Sequence, residues 1–76
     1  MTHYSKFPKE KLDIILDMNL EDFGFSASIA GVFNSADIYN IRGLLYKTDD
    51  ELLQIFGINK LTLKRVKSFL RTRGFY

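Results

Sequence analysis

The stretch TDDELLQIFGINKLTLKRV, residues 48–66, decides how this chain folds. Thr48 followed three residues later by Glu51 forms a capping box, and Asp49 and Asp50 suit the positive end of a helix dipole. A helix therefore begins here. It carries Leu52, Leu53 and Ile55, with Phe56 as a further apolar candidate, and Gly57 stops it. Only Ile58 and Asn59 separate it from a last helix, Lys60 to about Arg73, whose apolar face is Leu63, Val66, Phe69 and Leu70 and which Gly74 closes. Apolar residues at 52, 55, 58, 63 and 66 thus flank a three-residue turn. Two helices joined so tightly need a turn position with positive φ, which Gly57 supplies freely and Asn59 tolerates better than most side chains.

This is the spacing of a helix-hairpin-helix, although the usual form has glycine at both ends of the turn. Such turns expose N–H groups at the start of the second helix, where an anion is favoured; a hairpin that merely packs is the plainer reading. Toward the N-terminus, Pro8 opens a helix to Asp17, with Leu12, Ile15 and Leu16 on one face and Asn19 ending it. Phe23 to Ser26 reads as a tight apolar turn, and Ser26 caps a helix to about Asn34 that carries Ile29, Val32 and Phe33. A short helical turn, Ile41 to Leu45, is entered through Asn40. No stretch alternates with period two, so the expected fold is all-α: one domain over residues 1–76, a compact bundle of about five short helices with the helix-hairpin-helix near its C-terminus.

Seventy-six residues, 46% of them hydrophobic, suit one small core that buries only ~60% of the unfolded surface, leaving little for a deep catalytic cavity. The chain has no cysteine and one histidine, His3, which cannot make a metal site alone. Apolar runs such as Ile14 to Leu16 are far short of a membrane span, and no signal-peptide core precedes them, so the cytoplasm is the default location. The acid pairs Glu21/Asp22 and Asp49/Asp50 stand beside no nucleophile or ligand cluster. No catalytic residue, metal site or cofactor is expected, and the protein reads as a non-enzyme.

The net charge of +2 divides unevenly. Residues 1–51 hold nine acids and five bases, a balance of −4; residues 52–76 hold six bases and no acid, a balance of +6. On a helical wheel Lys60, Lys64, Lys67 and Arg71 fall within about 60° of one another, a basic stripe beside the apolar face, whereas Leu61 and Arg65 lie on another side. The stripe suits two to four phosphate contacts, of the order seen in weak, salt-sensitive binding, and equally suits a solvated helix face. Seven Phe and four Tyr are mostly needed as core. Tyr39, Tyr46, Phe75 and Tyr76 are the ones expected to be partly exposed, and if clustered they would form a protein-binding surface.

From Leu20 to Phe75 the chain resembles the C-terminal domain of the bacterial RNA polymerase alpha subunit, as a divergent stand-alone copy preceded by an N-terminal helical extension, residues 1–19. The stretches that carry the resemblance are LEDFGFS at 20–26, ADIYNIRGLL at 36–45, KTDDELL at 47–53, LKRVK at 63–67 and RGF at 73–75. The resemblance implies four helices plus a nonstandard segment in two hairpin-like units, binding to the minor groove of AT-rich promoter DNA, and contacts with activators and the sigma factor. It also implies site positions. Ser28 stands where the family has its principal DNA-contacting arginine, and Gly31 where it has an asparagine. In the second unit Asn59 replaces the turn glycine, Leu61 a contacting lysine and Arg65 a glutamate, while Thr62 keeps the hydroxyl of a serine. Loss of the arginine should weaken the family's minor-groove mode. The candidate nucleic-acid-binding residues are Ser28, Gly57, Asn59, Lys60, Thr62, Lys64, Arg65 and Lys67, with DNA, RNA polymerase or a transcription regulator as candidate partners and no membrane. The alternatives are a protein-interaction module that kept the fold and lost DNA binding, and a free-standing mimic or regulator of the polymerase domain.

Overall fold

The computed structural model describes residues 8–75. Six helices follow one another: α1 (Lys9–Asp17), α2 (Leu20–Phe23), α3 (Ala27–Ser35), α4 (Ile41–Tyr46), α5 (Asp49–Leu53) and α6 (Lys60–Thr72). No strand forms among the described residues; an isolated bridge between Asn19 and Asn40 ties the start of α2 to the start of α4.

Side-chain caps set where most of these helices begin. Asn19, Ser26, Asn40, Thr48 and Asn59 each accept a hydrogen bond from the backbone N–H three residues on, at 2.7–3.2 Å, satisfying a donor that the helix cannot. At Thr48 the box is reciprocal, because Glu51 Oε1 accepts from the Thr48 amide at 2.8 Å. At Asn19 the sequence reading falls one helix short. Asn19 ends nothing: it caps α2, a single turn hidden in what reads as a linker.

Three of the helices, α2, α3 and α6, end by a shared device. Gly24, Asp37 and Gly74 adopt positive φ (126°, 65° and 104°), and the next residue's amide reaches back five positions: Phe25 to Leu20, Ile38 to Phe33 and Phe75 to Leu70, at 2.9–3.0 Å. Each is a Schellman closure, and each delivers a hydrophobic residue inward. Phe25, Ile38 and Phe75 are buried, as is Ile58 after positive-φ Gly57. Phe75, expected at the surface, is therefore fully buried because it is the hydrophobic end of such a closure. Tyr39 and Tyr46 are exposed as expected; Tyr76 and His3 lie outside the described residues.

Packing joins these ends. Leu16, Leu20, Phe33, Ile41, Leu44 and Leu70 contribute to one cluster, and α1 lies along α4, where Arg42 pairs with Asp17 at 3.2 Å and Asp13 at 3.9 Å. Phe23 sits 5.9–6.1 Å from the rings of Phe25, Phe69 and Phe75, and Phe25 lies 4.6 Å from Phe69. Such ring pairs add about 0.5–1.5 kcal/mol each beyond their burial. They bind the α2–α3 turn to the C-terminal half of α6, which fixes the geometry of the surface that the two share. Charged and polar side chains of the described residues all lie at or near the surface, so the chemistry available there is surface chemistry.

Candidate functional site

The turn into α6 is built by Gly57 alone. Its φ of 98° makes the reversal, and a Cβ there would come 3.4 Å from a Val32 methyl, so the turn rests closely on α3. Asn59 does not share the positive-φ role expected of it. At φ −118° it is extended and acts as the cap of α6, accepting from both the Thr62 amide (2.8 Å) and the Thr62 hydroxyl (3.0 Å) on Oδ1. Those two donors, expected from sequence to face phosphate, are turned onto Asn59.

α6 presents two different flanks. On one, Thr62, Arg65, Val66 and Phe69 meet Gly24, Phe25, Ser26 and Ile29 around a shallow open depression. The Arg73 guanidinium lies 3.9 Å from the centre of the Phe69 ring, a cation–π contact, and close enough to Gly24 that a Cβ there would sit 3.4 Å from Nη2. Two arginines therefore edge the place where the Ser26 turn meets α6, and among the described residues no carboxylate lines the depression. Ser28 faces a neighbouring depression with Gly31, Val32, Ser35, Ala36, Ile55 and Phe56.

On the other flank, Lys60, Lys64, Lys67 and Arg71 line a depression with Asp49, Leu53, Leu63 and Ser68. Lys67 Nζ donates to both carboxylate oxygens of Asp49, at 2.9 and 3.0 Å. An acid of the first half thus interrupts the basic stripe. Lys64 and Lys67, named with Arg65 as candidate nucleic-acid contacts, lie on this second flank, away from Arg65 as the wheel places them. Of the eight residues expected from sequence, Thr62 and Arg65 share one depression, Lys60, Lys64 and Lys67 share another, Ser28 lines a third, and Gly57 and Asn59 shape the turn between helices.

Sequence reasoning misses three contributors. Ser26 reads as a cap only, Arg73 as part of a helix end, and Phe56, 99% exposed, as a core candidate. A signal for Phe56 is present: α5 ends at Leu53, and a residue directly before a positive-φ glycine belongs to the turn and not to the helix face. Among the described residues two titrating groups are shifted. The backbone N–H of Thr48 holds the Glu51 carboxyl below the ordinary glutamate range, and the hydrogen bond to Asp37, with that carboxylate's charge, raises the Tyr39 phenol.

Comparison with known proteins finds a DNA-directed RNA polymerase subunit alpha of Rhodopirellula baltica, 29% identical over 69 residues. This chain is similar to part of an alpha subunit. The match takes in 91% of the chain and 21% of that protein, so the chain spans about a fifth of the relative's length. No family model matches, and no solved structure matches.

Proposed function

We propose that this protein is a non-enzymatic, transcription-associated module that contacts the nucleic-acid backbone weakly through the face where the Ser26 turn meets α6. The observation that carries this reading is the convergence of Ser26, Thr62 and Arg65 on one depression with Arg73 beside it over Phe69, no carboxylate among the described residues lining it, in a chain similar to part of a polymerase alpha subunit. Arg65 and Arg73 supply charge and fork-shaped donors for phosphate oxygens, and the first turn of α3 adds backbone amides at a positive dipole end. Asn59 Oδ1 occupies the Thr62 amide and hydroxyl, and Ser28 supplies no charge, so affinity on this reading is low and non-specific.

Two phosphate contacts give a salt slope of about −1.8 in log K against log salt on duplex DNA. Fluorescence anisotropy of a labelled AT-rich duplex, titrated with the full chain over a salt series, tests this. Arg65→Glu with Arg73→Glu is expected to remove binding at low salt, whereas Lys64→Glu with Arg71→Glu leaves most of it. Equal loss in both pairs, or none in the first, would refute the assignment. A second reading, protein binding at the depression beside Phe56, is favoured by the full exposure of that ring next to Val32 and Ile55.

A further inference from the structure

The α5/α6 flank combines features that the backbone-contacting face lacks. Lys60, Lys64 and Arg71 are exposed on one side of α6, at spacings of four and seven residues, and among the described residues none is paired with a carboxylate. They span about 16 Å at 1.5 Å per residue. Beneath them the floor is apolar, formed by half-buried Leu53 and buried Leu63. Of the acidic first turn of α5 only Asp49 lines the groove, and Lys67 holds it.

We propose that this groove docks an acidic amphipathic segment of another protein, its leucine-like side chains on Leu53 and Leu63 and its carboxylates on Lys60, Lys64 and Arg71. Charge complementarity selects an acidic partner, and the mixed floor selects a peptide over a duplex. A nucleic-acid backbone carries evenly spaced charge and has no apolar face to lay on Leu53 and Leu63. A peptide helix lays its apolar stripe on the leucines and turns its flanking acids to the bases, the arrangement by which a helix fills a groove. Salt-sensitive charge pairs at the rim guide encounter, and burial of the apolar side chains gives retention. The site is separate from the Arg65 and Arg73 face, so its occupancy does not depend on nucleic-acid binding there.

The probe is a fluorescein-labelled peptide of about eleven residues with leucines at i, i+3, i+4 and i+7 and glutamates elsewhere, titrated with the full chain. A scrambled peptide of the same composition and an AT-rich duplex serve as competitors. The patterned peptide should bind at least tenfold more tightly than the scrambled one, and Lys64→Glu with Arg71→Glu should lower its affinity at least tenfold while Arg65→Glu with Arg73→Glu does not. Amide shifts on adding the peptide should map to Leu53, Lys60, Lys64 and Arg71. Equal binding of the scrambled peptide would overturn the proposal, leaving a charge effect alone. So would displacement of the peptide by duplex in the Arg65→Glu, Arg73→Glu variant, which would make the groove a nucleic-acid surface. Concentration-dependent self-association of the free chain that Lys64→Glu with Arg71→Glu abolishes would also overturn it, since the occupant would then be a second copy. Far-UV circular dichroism confirms that the charge variants, all at exposed positions, keep their helices.

Discussion

Replacing Phe75 by alanine should nearly unfold this protein, although the residue lies beyond the last helix. Phe75 is 0% exposed, its amide closes α6 on the Leu70 carbonyl at 2.9 Å, and its ring lies 6.0 Å from that of Phe23. Truncating a buried Phe to Ala costs about 3–5 kcal/mol, the sum of lost transfer energy and the cavity left behind. A chain of this length has a total stability of only ~4–11 kcal/mol. In a domain of this size each kcal/mol moves Tm by about 4–8 °C, so the loss corresponds to roughly 12–40 °C. Thermal and urea denaturation followed by far-UV circular dichroism would measure it, with Phe56→Ala, at a 99% exposed position, as the control expected to fall within about 0.5 kcal/mol of the parent. A loss at Phe75 below about 1 kcal/mol, or equal losses at the two positions, would refute the idea that a helix-closing turn carries this ring into the core.

Three further outcomes are expected. Gly24→Ala should destabilise by more than about 1 kcal/mol, because φ is 126° and the new Cβ would meet Phe69 Cζ at 2.9 Å, whereas Gly31→Ala, in open helix, should stabilise by about 0.5–1 kcal/mol in the same melts. Glu51 titrates below its ordinary value because Thr48 bonds its charged form, so its contribution to stability is full above the unfolded value of 4.5 and is lost as pH falls through the lower folded value. Glu51→Gln should therefore flatten that part of the acid limb of the stability profile, and an unchanged limb would contradict the bond. Asn59→Gly, which removes the acceptor from Thr62, should weaken the α6 cap by only a few tenths of a kcal/mol and tighten duplex binding severalfold; unchanged or weaker binding would mean that the Thr62 donors held by Asn59 do not limit it.

Much of the fold is legible in the sequence because it is written in caps. Ser26, Asn40, Thr48 and Glu51 announce their helices with local hydrogen bonds that need no knowledge of the rest of the chain. The α2 turn is not legible, since four residues carry no period and Asn19 reads as easily for an end as for a beginning. Phe75 is misjudged because helical periodicity says nothing beyond the helix; the closure that buries it depends on positive φ at Gly74 and on the amide of Phe75 itself. For the site, the wheel correctly separates Arg65 from the lysine stripe. It does not show that Asp49, on another helix, reaches Lys67, or that Arg73 folds back over Phe69 beside the Ser26 turn. Those depend on long-range packing that one helix's spacing does not contain.

If the Ser26 turn and the Arg65 flank of α6 form one backbone-contacting face, duplex DNA must perturb both together. Backbone amide shifts of the isotope-labelled chain, recorded while an AT-rich duplex is added at low and then higher salt, read this directly. Movement is expected at residues 24–29, 62, 65 and 73, absent at Lys64, Lys67 and Arg71, and fading as salt rises. Movement centred on the lysine stripe, or none at low salt, would contradict a shared face.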